Sequence, residues 1–538
     1  METVRNTVGR MIEEIAEAHP ERDALIHTEA GSRYTYDVLS WEISRAARGL
    51  LKLGIAPGDR IALWAPNLVE WIIAQLAVAR AGAVLVPLDP GAGAEGLHYL
   101  LEQSGSRAVI LARGRDGDEY IPLMLAERSR LSTLEHAILI SDISFPDMIL
   151  WSELTAMGDD LPAAALEERE QSIDPGDPVA IMYTSGTTGK PKGVVLDHLG
   201  LINKSLASTE RQGIGPTDRL CLFFPLFHMF GNTCIALAGL LRGAALVLPC
   251  RTFEPEAILN AISKEGCTAV YGSPSMIIAL LDHPRFQPKK WRTVTKGTLG
   301  GAPCPMELMK RLVTEVGVED ITVAYGITET ASWITMTHPS DPLELRVSTI
   351  GTPLPVNEVR IVDPVTGDPV PTGRRGELCI RGFLMTEYHH LPAATSAAVD
   401  GEGWFHSGDI GEMDPQGYVK ITGRLKDVIE REGIHIHPTE LEEVLYGLPG
   451  VSEAQVFGFT LPDGRREIAA WVRPRKDADL TLDRVREFLE ARVTPEKRPG
   501  LYKLVDGFPT TRSGKVQKFK LTEWAEREAR EGAVPPPP

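Results

Sequence analysis

Uninterrupted apolar runs of four or five residues alternate with longer stretches of helical spacing in the first part of the chain. Ile61-Ala62-Leu63-Trp64 and Ala83-Val84-Leu85-Val86-Pro87 each predict a buried strand, and residues 68–80 between them predict a helix. That order at that spacing predicts parallel sheets with helices outside. The rhythm returns at residues 219–224, 244–248 and 268–271.

From Gly351 the texture changes. Glu358-Val359-Arg360-Ile361-Val362, Glu377-Leu378-Cys379-Ile380-Arg381 and Tyr418-Val419-Lys420-Ile421 are short, alternating and punctuated by Gly, Pro and Asp. Such segments predict an antiparallel, barrel-like subdomain. Beyond Gly423-Arg424 comes a compact mixed region. Thr439 and Glu442 there have capping-box spacing ahead of a helix through Tyr446. Residues 523–538 predict a charged helix and then a Pro-rich tail, expected to be disordered.

With 538 residues and 43% hydrophobic content, the chain is too long for one core and predicts at least two domains. A formal charge of −17 argues against a general nucleic-acid surface, which needs clustered bases. Six cysteines without a CxxC pair argue against a metal cluster or disulfide frame and fit a reducing compartment. The start lacks the basic and apolar regions of a signal peptide, and no apolar run is long enough for a bilayer. A cytoplasmic protein without a membrane span is the expectation. Nothing in the composition speaks against a homodimer.

Tyr183-Thr184-Ser185-Gly186-Thr187-Thr188-Gly189-Lys190-Pro191-Lys192-Gly193-Val194 packs four hydroxyl residues, three glycines and two lysines between two strand-like flanks. Glycines let a backbone approach a phosphate chain, while amides, hydroxyls and ammonium groups bind it. It is not a Walker A loop: Thr184 stands where that motif needs glycine, and Pro191 follows Lys190. A solvated polar turn is the plainer reading, but the density of the cluster speaks against it.

Four more clusters carry chemistry. Tyr325-Gly326-Ile327-Thr328-Glu329-Thr330 follows a strand-like run, placing a ring, a hydroxyl and a carboxylate at a strand's C-terminal end, where α/β sheets bind ligands. Gly300-Gly301-Ala302-Pro303 allows backbone contact with a flat base. Asp409, after Gly408, can accept from both hydroxyls of a ribose, with Arg424 as a basic partner. Lys515 lies in Thr510-Thr511-Arg512-Ser513-Gly514-Lys515. Alone, each reads equally well as a turn or a surface charge. His228, in Phe227-His228-Met229, reads alone as a satisfied core histidine.

Together and in this order, these motifs resemble the acyl-adenylate-forming superfamily. Residues 269–311 and 348–355 are similar to its medium-chain fatty acyl-CoA synthetase branch. The resemblance runs from about Ile61 to Lys518. It implies a large N-terminal α/β domain with its barrel-like subdomain over 1–423, a hinge at 424–427 turning about Lys426, a small mobile α+β domain over 428–530, and a tail at 531–538.

The resemblance also implies ATP, Mg²⁺ and CoA. The nucleotide residues are Thr184, Ser185, Gly186, Thr187, Thr188, Gly189, Lys190, Gly301, Ala302, Pro303, Tyr325, Gly326, Asp409 and Arg424, with Glu329 on the metal. Thr328 meets the α-phosphate, His228 stands beside the acid's carboxylate, and Lys515 bridges that carboxylate and the α-phosphate. Phe227, Met229, Gly300, Ile327 and Trp333 line the acyl pocket, and the bulk of Trp333 favours a short or flat acid. The expected reaction joins a carboxylic acid, medium-chain or aromatic, to CoA through an acyl-adenylate.

The run after the hinge departs from the family pattern, with Glu430 and Glu432 adding charge and Ile434-His435 replacing Glu-Asn. A carboxylate near a thiol path disfavours polyanionic CoA. An amine, a carrier protein, or a small acid such as nitrite therefore stays open as an alternative. A non-catalytic nucleotide sensor is the other class of reading, opposed by the complete motif set.

Overall fold

The structure is a computed structural model, described over residues 2–114, 117–184, 190–431, 433–476, 478–509 and 516–531. Its described residues pack as two units, one from Met1–Glu358 with Ile380–Phe405, the other from Val359–Cys379 with His406–Pro538.

The first unit holds two large sheets. In the eight-stranded sheet, Arg60–Trp64 pairs in parallel with Val84–Pro87, and the helix Val69–Arg80 connects them, as the sequence pattern predicts. Pro178–Thr184 and Lys192–Asp197 continue this sheet as an antiparallel hairpin. The nine-stranded sheet runs through Arg219–Cys221, Ala269–Gly272, Lys296–Gly300 and Asp320–Ile327, all parallel neighbours. The first of these is shorter than the apolar run 219–224 suggests. Ser332–Met336 then turns back antiparallel to Asp320–Ile327.

Alternation sets the two faces of this sheet. Val270, Leu299, Ile321 and Val323 point into an apolar core with Ile258, Ile277 and Leu308. The residues between them, Tyr271, Thr298, Gly300, Thr322 and Ala324, therefore turn to the opposite face. A second core joins Trp64, Val86, Val109 and Leu139 of the other sheet to Leu97, Leu101 and Met124.

Asn357–Val362, Gly376–Gly382, Phe405–Met413 and Val419–Arg424 form a four-stranded sheet in that order, the last two antiparallel. The second unit further contains a three-stranded sheet whose core joins Val456, Ile468, Ala470 and Val472 to Leu441, Leu445, Val485 and Leu489.

The expected capping box does not form. The helix Pro438–Tyr446 starts at a proline after His437. Thr439 sits inside it and donates to the Thr422 carbonyl, while Glu442 accepts from the Val456 amide at 2.8 Å and pairs with Lys518 at 2.8 Å. Proline fits the first helical turn because that N–H has no helical partner. Tertiary partners take the two side chains instead. A helix at Lys518–Arg530 closes the described chain. Among the described residues, no helix is long and apolar enough to cross a membrane.

Candidate active site

The strand Asp320–Ile327 ends where glycine lets two backbones meet. A Cβ on Gly326 would lie 2.2 Å from the Ser332 carbonyl oxygen, so only glycine fits. A 3₁₀ turn at Thr328–Thr330 follows, and Ala331 takes a left-handed φ of 56°. The Thr330 hydroxyl donates to Ile327 O at 3.0 Å and lies 3.1 Å from Ser332 O, closing the reversal. Tyr325, Gly326, Ile327, Thr328 and Glu329 stand half-buried at the strand's C-terminal end.

Glu329 is held from a second element. The Tyr388 hydroxyl donates to Glu329 Oε1 at 2.8 Å, and the Met385 amide donates to the Glu329 carbonyl at 2.7 Å. Tyr388 lies in the short strand Glu387–Tyr388, paired with Lys192–Asp197. The Lys192 ammonium stands 4.1 Å from the centre of the Tyr388 ring. Burial, then the neighbouring Glu329 charge, pushes the Tyr388 phenol well above its ordinary range, so it stays a donor. Carboxylate, phenol and ammonium thus form one row. Tyr388 was not singled out from the sequence, whereas Lys192 stands there as one of the two lysines of the hydroxyl-rich run. No local motif marks Tyr388, which arrives through a strand pairing almost two hundred residues away.

In the sequence, the two strands of the same hairpin flank the hydroxyl-rich run. Thr184 pairs with Lys192, and its hydroxyl donates to the Lys192 carbonyl at 3.5 Å. Ser185, Gly186, Thr187, Thr188 and Gly189 lie outside the described residues. Lys190 is exposed with its ammonium 4.9 Å from the centre of the Tyr99 ring. The Tyr99 hydroxyl donates to the Pro191 carbonyl at 2.8 Å.

Gly300 ends the neighbouring strand, paired with Ala324, and Gly301, Ala302 and Pro303 follow it exposed to solvent. A Cβ on Gly300 would lie 2.7 Å from the Trp333 indole, so the ring rests directly on the glycine backbone. Trp333 is 4% exposed and meets Phe230 edge-on, ring centres 4.9 Å apart. Phe230 continues to Phe224 at 4.5 Å, and Phe224 to His228 at 5.4 Å. His228 is half-buried, and its Nδ1 accepts from the Phe230 amide at 3.1 Å, which leaves the proton of the neutral ring on Nε2. A buried π-helix, Phe230–Leu237, starts at this row, a widened turn common near functional sites. Phe227 is half-buried and Met229 buried beside His228. The aromatic row itself runs through Phe224 and Phe230, which the sequence did not single out.

In the second unit, Asp409 pairs across two strands with Arg424, Nε to Oδ1 2.8 Å. The turn before Asp409 is pinned at each residue. Glu377 Oε1 accepts from the Gly408 amide and Oε2 contacts His406 Nδ1, both at 2.9 Å. The Ser407 hydroxyl donates to Leu378 O at 2.7 Å and accepts from the Asp409 amide at 3.0 Å. Lys426 is exposed in the turn Leu425–Asp427. Glu430 pairs with His435 across a small hairpin, both exposed. Glu432 and Lys515 lie outside the described residues.

A carboxylate at the C-terminal end of a parallel strand, anchored by a tyrosine and with an ammonium on that ring's face, suits a nucleotide-dependent ligase. The family model described as "AMP-binding enzyme" matches residues 12–389, and that of the AMP-binding enzyme C-terminal domain matches residues 440–515. The chain belongs to the AMP-binding enzyme family and is an AMP-forming ligase. It is 38% identical to the putative acyl-CoA synthetase YngI of Bacillus subtilis, over 97% of both chains. It is 34% identical to the human mitochondrial medium-chain acyl-CoA ligase ACSF2, over 97% of this chain and 88% of the relative. Among solved structures it is similar to ATP-bound MatB of Rhodopseudomonas palustris, 26% identical, with a TM-score of 0.86 over 97% of this chain and 99% of that one.

Proposed function

We propose that the chain joins a carboxylic acid, medium-chain or aromatic, to CoA at the expense of ATP, by way of an acyl-adenylate. The row Glu329–Tyr388–Lys192 carries this reading: it holds an anchored carboxylate and an ammonium beside the two strands that flank the hydroxyl-rich run in the sequence. The names of the relatives support the acid and thiol substrates.

Thr184, the loop after it and Lys190 would hold the β- and γ-phosphates. Thr328 meets the α-phosphate, Tyr325 and Gly301–Pro303 the adenine, and Asp409 with Arg424 the ribose. Mg²⁺ fits the oxygen donors at Glu329, one of whose oxygens is already fixed by Tyr388. When bound there it neutralises phosphate charge. The acid's carboxylate attacks the α-phosphorus, the bond to the β-phosphate oxygen breaks, and pyrophosphate leaves. Lys515 relieves repulsion between the two anions as they meet. His228, held by the Phe230 amide, positions the carboxylate. CoA sulfur then attacks the acyl carbon and AMP leaves. The six cysteines, each buried and outside any disulfide, suit a reducing cytoplasmic setting.

Pyrophosphate release scored over fatty acids, aryl acids and nitrite, with and without CoA, tests this. Release with an organic acid and a thioester with CoA is expected. An acyl-adenylate that CoA never discharges contradicts the thiol half.

A further inference from the structure

The helix His198–Gln212 buries an unusual side chain. Lys204 has no exposed surface, and its ammonium donates to Asn357 Oδ1. No ion pair accompanies it among the described residues, and burial pushes it from 10.5 to about 7. An uncompensated ammonium in an apolar interior costs stability, so folding alone does not account for it.

Its geometry suggests a task. The Lys204 ammonium donates to this oxygen and so fixes that end of the Asn357 amide. The NH₂ end must then face the other way, where it donates to Trp333 O at 3.1 Å and Ile334 O at 2.8 Å. These carbonyls sit where the register with Asp320–Ile327 slips: Trp333 pairs with Gly326, Thr335 with Tyr325, and Ile334 is left over. A bulge re-aims the side chain beside it. Here that side chain is Trp333, seated on Gly300 and against Phe230.

We propose that Lys204 and Asn357 form a clasp that locks the Trp333 bulge as the floor of the acyl pocket, so that the enzyme takes short or flat acids and excludes extended alkyl chains. The inference rests on the ligase reading above and narrows its acid from medium-chain or aromatic to aromatic. It makes Lys204 and Asn357 positioning residues and Trp333 the specificity determinant. Bulk at a pocket floor acts steeply, since one methylene group changes kcat/KM by roughly 10- to 200-fold.

The test measures kcat/KM for benzoate and octanoate, together with Tm, in the full chain and three variants. The native enzyme should favour benzoate. Trp333→Val should move the benzoate-to-octanoate ratio at least about tenfold toward octanoate. Lys204→Met should move it the same way while raising Tm, because a lone buried charge is gone. Asn357→Asp, which gives Lys204 a counter-charge but removes both donors to the bulge, should also move it. A purely structural clasp would lower Tm and leave the ratio alone. An unchanged ratio in active Trp333→Val and Lys204→Met enzymes overturns the inference and spares the ligase reading. No pyrophosphate release from any acid overturns the ligase reading and this one with it.

Discussion

The Tyr388 hydroxyl lies 2.8 Å from Glu329 Oε1, and the face of the same ring carries the Lys192 ammonium. One side chain thus sets the spacing between an anion and a cation that sequence alone leaves 137 positions apart. The ring is delivered by a two-residue strand on the edge of the eight-stranded sheet.

Tyr388→Phe keeps the ring under Lys192 and deletes only the donor to Glu329. A hydrogen bond to a charged group contributes about 1.5–3 kcal/mol. The variant should lose roughly 10- to 100-fold in kcat, with a raised Mg²⁺ requirement and little change in KM for the acid. Pyrophosphate release titrated against Mg²⁺ checks it.

Lys204 gives the fold a pH signature. The unfolded chain keeps this proton up to its ordinary value of 10.5, while the folded chain loses it near 7. Between these values the unfolded state binds more protons, so stability rises with pH, by up to about 1.4 kcal/mol per pH step. The penalty is fully present below 7 and relieved toward 10.5. Denaturant unfolding from pH 7 to 10 should show this rise in the native enzyme relative to Lys204→Met.

Asp409 is set by the turn that Glu377 pins through the Gly408 amide and His406. Asp409→Ala should raise KM for ATP at least about tenfold with a small effect on KM for the acid. Glu377→Ala, which frees the turn but leaves the carboxylate, should raise KM for ATP by a smaller factor. Initial rates over an ATP series separate the two.

Gly300→Ala places a methyl 2.7 Å from the Trp333 indole. Overpacking of this kind costs about 1–3 kcal/mol. Lower Tm and reduced kcat/KM for aryl acids should appear together, and a thermal melt beside initial rates with an aryl acid checks both.

The parallel cores were legible because Ile61-Ala62-Leu63-Trp64 and its like are unbroken apolar runs that only a strand covered on both faces can use. Glu329 was legible because its motif is local. Tyr388, Phe230 and Lys204 were not, since each acts through partners distant in the chain. A lysine within the buried face of a helix was the one available sign for Lys204. The capping box failed for the opposite reason: Thr439 and Glu442 have the right spacing, but Thr422, Val456 and Lys518 compete for them.

Oxygen transfer tests the central chemistry most directly. With the preferred acid labelled with ¹⁸O in its carboxylate, plus ATP and CoA, attack at the α-phosphorus leaves one labelled oxygen on AMP after the thioester forms. Labelled AMP with unlabelled pyrophosphate is the predicted result. Label in inorganic phosphate, with ADP as the other product, would contradict it.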